Sequence, residues 1–270
     1  MYIDSHAHIF DQEYREDLQD VLDRAAEAGV GTVIVPGTNL ETSREAVALS
    51  ERFDSVFACV GIHPHESSEA TGELVQAVEE LSRHPKVVAI GEIGLDYYYD
   101  FSPKEKQREV FEAQLEVAVR RSLPVVIHTR DSMGDAMEIV GRTAGRFPEW
   151  RSEVKPGHRV QGSRGVFHCF TGTAEEARTL FSQGFYVSYP GIVTFKNSPV
   201  AAVVKEIGWT NILLETDSPY LTPVPYRGKR NEPSYVPLIA NKIAELCETS
   251  PTEVGEATTT NTRTLFSLPE

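Results

Sequence analysis

The 270-residue sequence contains only three cysteines, Cys59, Cys169 and Cys247, and they lie far apart along the chain. They form no CxxC pair, and their odd number leaves one without a partner, so we predict no disulfide framework. Small domains that depend on disulfides are therefore excluded. A reducing cytoplasm is the expected compartment, with each cysteine serving as a small buried apolar residue.

Long hydrophobic runs are also missing from the sequence. No segment approaches the roughly 20 consecutive apolar residues that a membrane-spanning helix requires. The N-terminal segment MYIDSHAHIF lacks a basic stretch followed by an apolar one, so we predict no signal peptide. We expect neither membrane association nor an obligate protein partner.

Basic residues are scarce relative to acidic ones, with 26 Lys and Arg against 40 Asp and Glu and a formal net charge of −14. Such a surface repels nucleic acid at long range, which argues against a high-affinity, non-specific DNA-binding module. An enzyme can still act on a phosphodiester if metal ions and a few local cations neutralise the reacting group. The charge therefore weighs against a binding protein more than against an enzyme.

Short β-branched runs alternate with longer amphipathic stretches throughout the chain. The runs lack a regular alternation of apolar and polar residues, which is typical of strands buried on both faces of a parallel sheet. The predicted strands cover residues 2–5, 31–35, 56–60, 87–90, 125–128, 166–168, 185–188 and 212–215. Eight strand–helix units predict an α/β fold, a (β/α)8 TIM barrel that forms a single domain over residues 1–270. The structural alternative is an open doubly wound sheet, but no glycine-rich phosphate loop follows the first strand.

Helix starts and one break in composition complete the predicted organisation. The clearest helical pattern covers residues 103–121. Three segments show the capping signal of a hydroxyl residue followed three positions later by glutamate: Ser102 with Glu105, Thr173 with Glu176, and Ser250 with Glu253. The stretch 145–165 is rich in glycine, proline and charge, so we predict a surface insertion between the fifth helix and the sixth strand.

Side chains that can bind metal stand at the carboxyl ends of five predicted strands. Because the strand ends of a β/α barrel converge on one mouth, residues far apart in sequence would share a pocket there. The set comprises His6, His8, Glu92, His128, His168 and Asp217. An HxH pair or a single histidine is weak evidence, but core packing does not explain six such groups, because buried unpaired polar groups are costly. The set predicts a nitrogen and oxygen site suited to zinc, manganese or a similar ion.

The number of candidate ligands predicts two divalent ions, with Zn, Mn and Mg all admissible. One ion needs three or four protein ligands and an open position for water, so six candidates serve two ions with Glu92 as the bridge. Such a pair activates a water molecule and clamps the oxygens of a phosphoryl centre. We expect Asp217 both to ligate metal and to accept the proton of that water. Glu92 and Asp217 are thus predicted catalytic residues.

Eight segments of the sequence match the motifs of one family. They are IDSHAHIF (3–10), VGIHPH (60–65), AIGEIGLDYYYD (89–100), PVVIHTRD (124–131), VFHCFTG (166–172), LLETDSPYLTP (213–223), RGKRNEP (227–233) and TNT (260–262). Together they resemble the TatD family of metal-dependent deoxyribonucleases within the amidohydrolase superfamily. The resemblance covers nearly the whole chain and implies a β/α barrel, in agreement with the strand count.

The resemblance implies roles for individual residues. It implies two ligand sets that share one glutamate: His6, His8, Glu92 and Asp217 for one ion, and Glu92, His128 and His168 for the other. It makes His65 a catalytic or substrate-contacting residue beside the metals, and it makes Arg130 and Glu215 residues that orient ligands. His63 stays open between a functional role and hydrogen bonding within its loop. No lysine ends the fourth strand, which argues against the dihydroorotase and urease types, whose metals are bridged by a carboxylated lysine.

Two further groups of side chains are candidates for contact with substrate. Arg227, Lys229 and Arg230 follow the last strand and are predicted to hold flanking phosphates, as is Arg130, although charged loops are usually only solvated. Tyrosines 97–99 follow the fourth strand, where they either stack on bases or pack against the barrel rim.

The leading hypothesis is a divalent-metal-dependent nuclease that hydrolyses phosphodiester bonds of DNA through a metal-activated water. The resemblance favours 3′→5′ exonuclease action on single strands. The enzymatic alternatives are a D-aminoacyl-tRNA deacylase or another metal-dependent esterase or phosphoesterase, with RNA or tRNA in place of DNA. A hypothesis of another class is a metal-stabilised binding protein without turnover.

Overall fold

The computed structural model describes residues 1–150 and 163–269. Eight parallel strands pair with one another in chain order, each with the next, and helices follow them on the outside. The strands are β1 (Tyr2–Asp4), β2 (Val30–Pro36), β3 (Val56–Val60), β4 (Val87–Asp96), β5 (Val125–Arg130), β6 (Gly165–Phe167), β7 (Phe185–Tyr189) and β8 (Ile212–Leu214).

The α-helices lie between the strands and after the last one. They are α1 (Leu18–Glu27), α2 (Leu40–Arg52), α3 (Gly72–Leu81), α4 (Lys104–Arg121), α5 (Met133–Arg146), α6 (Ala174–Ser182), α7 (Pro199–Ile207), α8 (Val236–Cys247) and α9 (Pro251–Phe266). Among the helices of the described ranges, none combines the length and the apolar character needed to cross a lipid bilayer.

Hydrogen bonds between the first and last strands close the sheet into a barrel. The Ser5 N–H donates to the Leu214 carbonyl at 3.0 Å, and the His8 N–H donates to the Ser218 carbonyl at 2.8 Å. Ala7 and Ser218 also pair as a parallel bridge. The predicted single-domain (β/α)8 TIM barrel is therefore confirmed, and the carboxyl ends of all eight strands surround one mouth.

Apolar side chains fill two regions, one between the sheet and its helices and one inside the barrel. The inner region includes Leu265, Phe266 and Leu268 from the end of α9, which pack on strand residues such as Ile3. The Asn261 side chain in α9 donates to two carbonyl oxygens at the start of β8, at 3.0 Å each. The last helix thus covers the amino end of the barrel, opposite the mouth.

The predicted strands differ from the observed ones by at most two residues at either end, except β4. That strand was expected to stop at residue 90, but it continues to Asp96 and is buried along its whole length. Glu92 consequently lies inside a strand and not beyond its end. The surface insertion over 145–165 stays a prediction, because residues 151–162 lie outside the described ranges. Trp150, within that stretch, is buried, and its indole N–H donates to the Leu123 carbonyl at 3.1 Å.

The three predicted helix starts have different outcomes. Capping boxes at Thr173 and Ser250 are confirmed, with each side chain accepting from the backbone N–H three residues later. The one at Ser102 is wrong, because α4 begins without a side-chain cap. The Ser102 hydroxyl instead donates to the His65 carbonyl at 2.8 Å and accepts from the Ser68 N–H at 2.9 Å. It therefore ties together two loops at the mouth.

We predict that Phe266→Ala lowers the free energy of unfolding by about 3–5 kcal/mol, because it leaves a cavity where α9 meets the barrel interior. Urea denaturation followed by circular dichroism measures the change. Glu256→Ala, an exposed substitution in the same helix, is the matched control and should stay within about 0.5 kcal/mol of the parent. Equal stability of the two variants would contradict the role assigned to α9.

Candidate metal centre

The mouth of the barrel holds a cavity of about 1040 Å³. Five of the six predicted metal ligands line it, His8, Glu92, His128, His168 and Asp217, as does the neighbouring His65. His6 lies just beneath, fully buried. The structure therefore brings together all the predicted metal ligands, although they are contributed by five different strands and their following loops.

One group of donor atoms surrounds the Oε2 atom of Glu92. This oxygen lies 3.4 Å from His6 Nε2 and 3.6 Å from His8 Nε2, and the two nitrogens are 3.1 Å apart. Asp217 Oδ1 lies 3.8 Å from His6 Nε2 and 3.6 Å from His8 Nε2. Four acceptor-type atoms thus point at one small volume.

A second group surrounds Oε1, the other oxygen of Glu92. It lies 2.9 Å from His168 Nε2, 3.1 Å from His128 Nδ1 and 3.4 Å from His63 Nε2. His128 Nδ1 and His168 Nε2 are 3.4 Å apart. The Glu92 carboxylate is therefore shared between two sets of donors. His63, which sequence reasoning left open, belongs to the second set.

These separations fit bound cations. Ligand atoms that each lie about 2.1 Å from one ion are about 3.0–3.5 Å from one another. Most of the donor atoms in both groups are that far apart, and those of Asp217 are slightly farther. Burial lowers the pKa of His8 to about 3 and that of His63 to about 4, so both imidazoles stay neutral, the form that ligates metal.

The charges of the carboxyl groups point the same way. Burial raises the pKa of Asp217 to about 8, and the nearby Glu215 carboxylate adds to the rise. Burial also acts to raise the pKa of Glu92, but positive charge on His168 holds it well below its ordinary value. Asp217 is therefore largely protonated near neutral pH without a cation, and a cation bound beside it would favour its ionised form.

Asp96, at the end of β4, is absent from the residues predicted from the sequence. Its Oδ2 atom lies 2.9 Å from His65 Nε2 and 3.1 Å from His128 Nε2. Its Oδ1 atom accepts from the N–H groups of Tyr98 and Tyr99 at 3.0 and 3.1 Å. One buried carboxylate thus orients two histidines and fixes the loop that follows. The signal in the sequence is its place at the end of the unbroken segment 87–96, which a longer predicted strand would have included.

Glu215, just beyond β8, supports the other side of the centre. Its Oε1 atom accepts from the Cys169 N–H at 2.7 Å and lies 3.7 Å from His168 Nδ1. Its Oε2 atom accepts from the Ser188 hydroxyl at 2.6 Å. Those contacts hold the segment that carries His168, which agrees with the orienting role that the resemblance implies.

The backbone near the centre leaves no room for a side chain at Gly94. This residue has φ +139°, and a Cβ atom there would lie 2.1 Å from the carbonyl oxygen of His128. Only glycine fits such a position, because the added atom would overlap backbone that cannot move without displacing His128. Glycine at 94 thus lets β4 and β5 approach closely enough for Glu92 and His128 to meet.

The predicted substrate-contacting arginines occupy two places. Arg130 lines the main cavity, and its guanidinium lies 4.0 Å from the centre of the Tyr98 ring. Arg227 and Arg230 do not line that cavity within the described residues. They border a smaller neighbouring cavity of about 440 Å³. Arg230 is paired there with Asp17 at 2.6 Å.

We predict that Asp96→Asn weakens binding of divalent metal by about 10- to 100-fold, because an amide cannot accept from both histidines as the carboxylate does. Titration of the metal-free protein with Mn²⁺ in a calorimeter measures the affinity. Asp100→Asn, an exposed change four residues further on, is the control and should bind as the parent does. Parent-like affinity in Asp96→Asn would show that Asp96 does not position His128.

Comparison with known proteins places this geometry in a family. The family described as TatD related DNase matches residues 3–267. The uncharacterized metal-dependent hydrolase YabD of Bacillus subtilis is 42% identical over 99% of this chain and 100% of its own length. A protein of Shigella flexneri named 3'-5' ssDNA/RNA exonuclease TatD is 34% identical over 95% of each chain.

A solved structure agrees with these sequence matches. The crystal structure of YJJV, a TatD homolog from Escherichia coli, superposes with a TM-score of 0.88 at 30% identity and covers 99% of this chain and 98% of that one. The match thus includes the whole barrel and every element that carries a candidate ligand. The chain belongs to the TatD family of metal-dependent hydrolases.

Proposed function

We propose that this hydrolase is a nuclease that cleaves phosphodiester bonds of single-stranded DNA from the 3′ end. The observation that carries the proposal is the Glu92 carboxylate, whose two oxygens face two separate sets of donor atoms. A carboxylate shared in this way can hold two ions a few ångströms apart. Pairs of ions at that separation promote phosphoryl transfer in many nucleases and phosphatases. The relative named an ssDNA/RNA exonuclease supports nucleic acid as the substrate.

We assign the two proposed ions to the two donor groups. The first group comprises His6, His8, Glu92 Oε2 and Asp217, and the second comprises Glu92 Oε1, His63, His128 and His168. Divalent ions bound there supply Lewis acidity, which lowers the pKa of a water molecule and neutralises charge on a phosphoryl oxygen.

We propose that Asp217 takes the proton of the attacking water. Its side chain is 15% exposed and lines the cavity, whereas the side chains of His6 and His168 are only 0% and 4% exposed. The Asp217 N–H donates to the His6 carbonyl at 2.9 Å, so the backbone holds this carboxylate beside the ligand pair. Oδ1 thus lies beside the nitrogens of His6 and His8, and both Asp217 and His65 line the cavity.

We propose that arginine side chains near the cavity hold the substrate phosphates that do not react. Arg130 lines the cavity itself. Arg227 borders the smaller cavity, which shares Leu221 with the main one, so a strand leaving the metal centre would reach it next. The Arg230 guanidinium is already paired with Asp17, which leaves it less free for phosphate. Arg227 is thus the stronger candidate of the two.

We predict that each parent chain binds two divalent ions and that the loss of bound metal depends on which ligand is replaced. Glu92→Ala removes the shared ligand and should lower the occupancy of both ions, whereas His8→Ala should lower that of one. Plasma mass spectrometry of protein loaded with Mn²⁺ and then desalted measures the ratio. His84→Ala, which changes a histidine outside the centre, should retain both ions. A parent ratio of one would refute the paired site.

We predict that the parent protein with Mn²⁺ or Mg²⁺ shortens a 5′-labelled single-stranded oligonucleotide stepwise from its 3′ end, and that a chelator stops the reaction. Asp217→Asn should lower kcat by about 100- to 10,000-fold, because the amide cannot accept the proton. His84→Ala serves again as the control.

The product pattern on a sequencing gel distinguishes the alternatives. Internal fragments would indicate an endonuclease, and unchanged turnover in Asp217→Asn would remove this residue from proton transfer. An intact oligonucleotide, with hydrolysis of a D-aminoacyl-tRNA or a simple ester in a parallel assay, would replace the proposed function with the esterase alternative.

A further inference from the structure

Exposed apolar side chains concentrate at the mouth of the barrel. Seven large hydrophobic side chains are exposed among the described residues, and six of them, all but Met1, lie on the loops after β4 and β8. Single exposed apolar residues are ordinary on a protein surface, but a cluster around a reaction cavity indicates a binding surface. The cluster therefore indicates a surface that can bind substrate beyond the metal centre.

Four aromatic side chains form what we call the aromatic rim: Tyr98, Tyr99, Phe101 and Tyr220. Their exposed fractions are 59%, 40%, 61% and 56%. Tyr99, Phe101 and Tyr220 line the same cavity as the candidate metal ligands. The rim therefore continues directly from the reacting volume onto the surface, with rings contributed from two sides of the mouth.

The rings on the β4 side form one ordered surface. The Tyr99 and Phe101 rings are stacked with centroids 5.4 Å apart and an interplanar angle of 29°. Tyr98 contacts Tyr99 edge to face at 4.8 Å. The Arg130 guanidinium lies 4.0 Å from the Tyr98 ring and 4.8 Å from the Tyr99 ring. Flat ring faces and a positive charge thus stand side by side.

The rim is held in place by residues of the metal centre. Asp96 accepts from the backbone N–H groups of Tyr98 and Tyr99, and the Phe101 ring lies 4.8 Å from the His65 ring. On the opposite side, the Tyr220 N–H donates to the Asp217 carbonyl at 2.9 Å. A surface ordered in this way loses little conformational entropy when a ligand stacks on it.

Tyr97 differs from its neighbours and helps to define the rim. Its hydroxyl donates to Asp135 at 2.8 Å and accepts from Arg108 Nε at 2.8 Å. Its ring is partly buried and packs against the main core. Of the three consecutive tyrosines, Tyr97 is therefore part of the scaffold, Tyr99 lines the cavity, and Tyr98 is exposed beside it.

We propose that the aromatic rim is a base-stacking subsite, which holds unpaired bases of a single-stranded nucleic acid beside the bond to be cleaved. The assignment rests on the proposed nuclease function and names the part of the substrate that this surface recognises. Every base has a flat face that can stack on a ring, so such a subsite accepts many sequences. Bases in a duplex already stack on one another, so the rim selects unpaired strands. Arg130 attracts the phosphates of the same strand.

The test combines two changes in a cycle: removal of a ring from the protein and removal of the bases from the substrate. Phe101→Leu and Tyr220→Leu remove one ring each while keeping an apolar side chain, and Phe101→Tyr restores a ring. Each protein is assayed with Mn²⁺ on a labelled single-stranded oligonucleotide and on a fully abasic strand of the same length. Tyr226→Leu is the matched control, because Tyr226 is exposed but stacks on Tyr235 and does not line the cavity.

Loss of one stacking contact should raise KM for the normal oligonucleotide by about 5- to 150-fold, with kcat nearly unchanged. Phe101→Tyr and Tyr226→Leu should behave as the parent does. On the abasic strand, the parent and both leucine variants should have the same raised KM, because ring and base act through one contact.

Each other outcome has a distinct meaning. Unchanged KM in both leucine variants, with the parent active on the normal oligonucleotide, would overturn the base-stacking subsite and leave the nuclease function standing. Equal activity of the parent on normal and abasic strands would do the same. A change only in the mass of the protein in solution would reassign the rim to contact with a second copy. A parent protein inactive on every strand would refute the nuclease function itself, and the subsite with it.

Discussion

The structure of the site depends on one buried carboxylate, that of Glu92. Its two oxygens face two sets of imidazoles, and a negative charge in such a buried place is costly unless positive charge lies beside it. The strand ends and loops at the mouth bring the nitrogens of those imidazoles to within 4 Å of the Glu92 oxygens. The centre is thus a concentration of donor atoms that core packing would never tolerate.

The barrel tolerates this buried polar cluster because the part that stabilises the fold is separate from the part that carries the ligands. The amino end is filled by apolar side chains and covered by α9, through Phe266 and its neighbours. The carboxyl end carries the ligands on the last residues of strands and on the loops that follow. Changes at the mouth therefore alter the site without removing the core that holds the strands in register.

A layer of supporting contacts connects the centre to the substrate-facing surface. Asp96 contacts His65 and His128 with one oxygen and the backbone of the rim with the other. Glu215 performs the corresponding task for the segment around His168. Asp96 thus links the histidines of the centre to the backbone of the rim through one side chain. In the proposed function, the rings of the rim and Arg130 take the place of a basic surface in holding a nucleic-acid strand on this acidic protein.

The amino-acid sequence by itself determined the barrel and the set of candidate ligands. Strands buried on both faces are recognisable as unbroken apolar runs, and parallel strand ends must converge, so His6, Glu92 and His168 could be placed together before any contact was known. Only the tertiary structure decided which polar side chains form hydrogen bonds or ion pairs with other residues of the chain. Asp96 looked like a loop residue, Arg230 looked free, and three adjacent tyrosines looked alike. Their roles depend on atoms within 3–4 Å that are contributed by distant parts of the chain, and no local pattern encodes such neighbours.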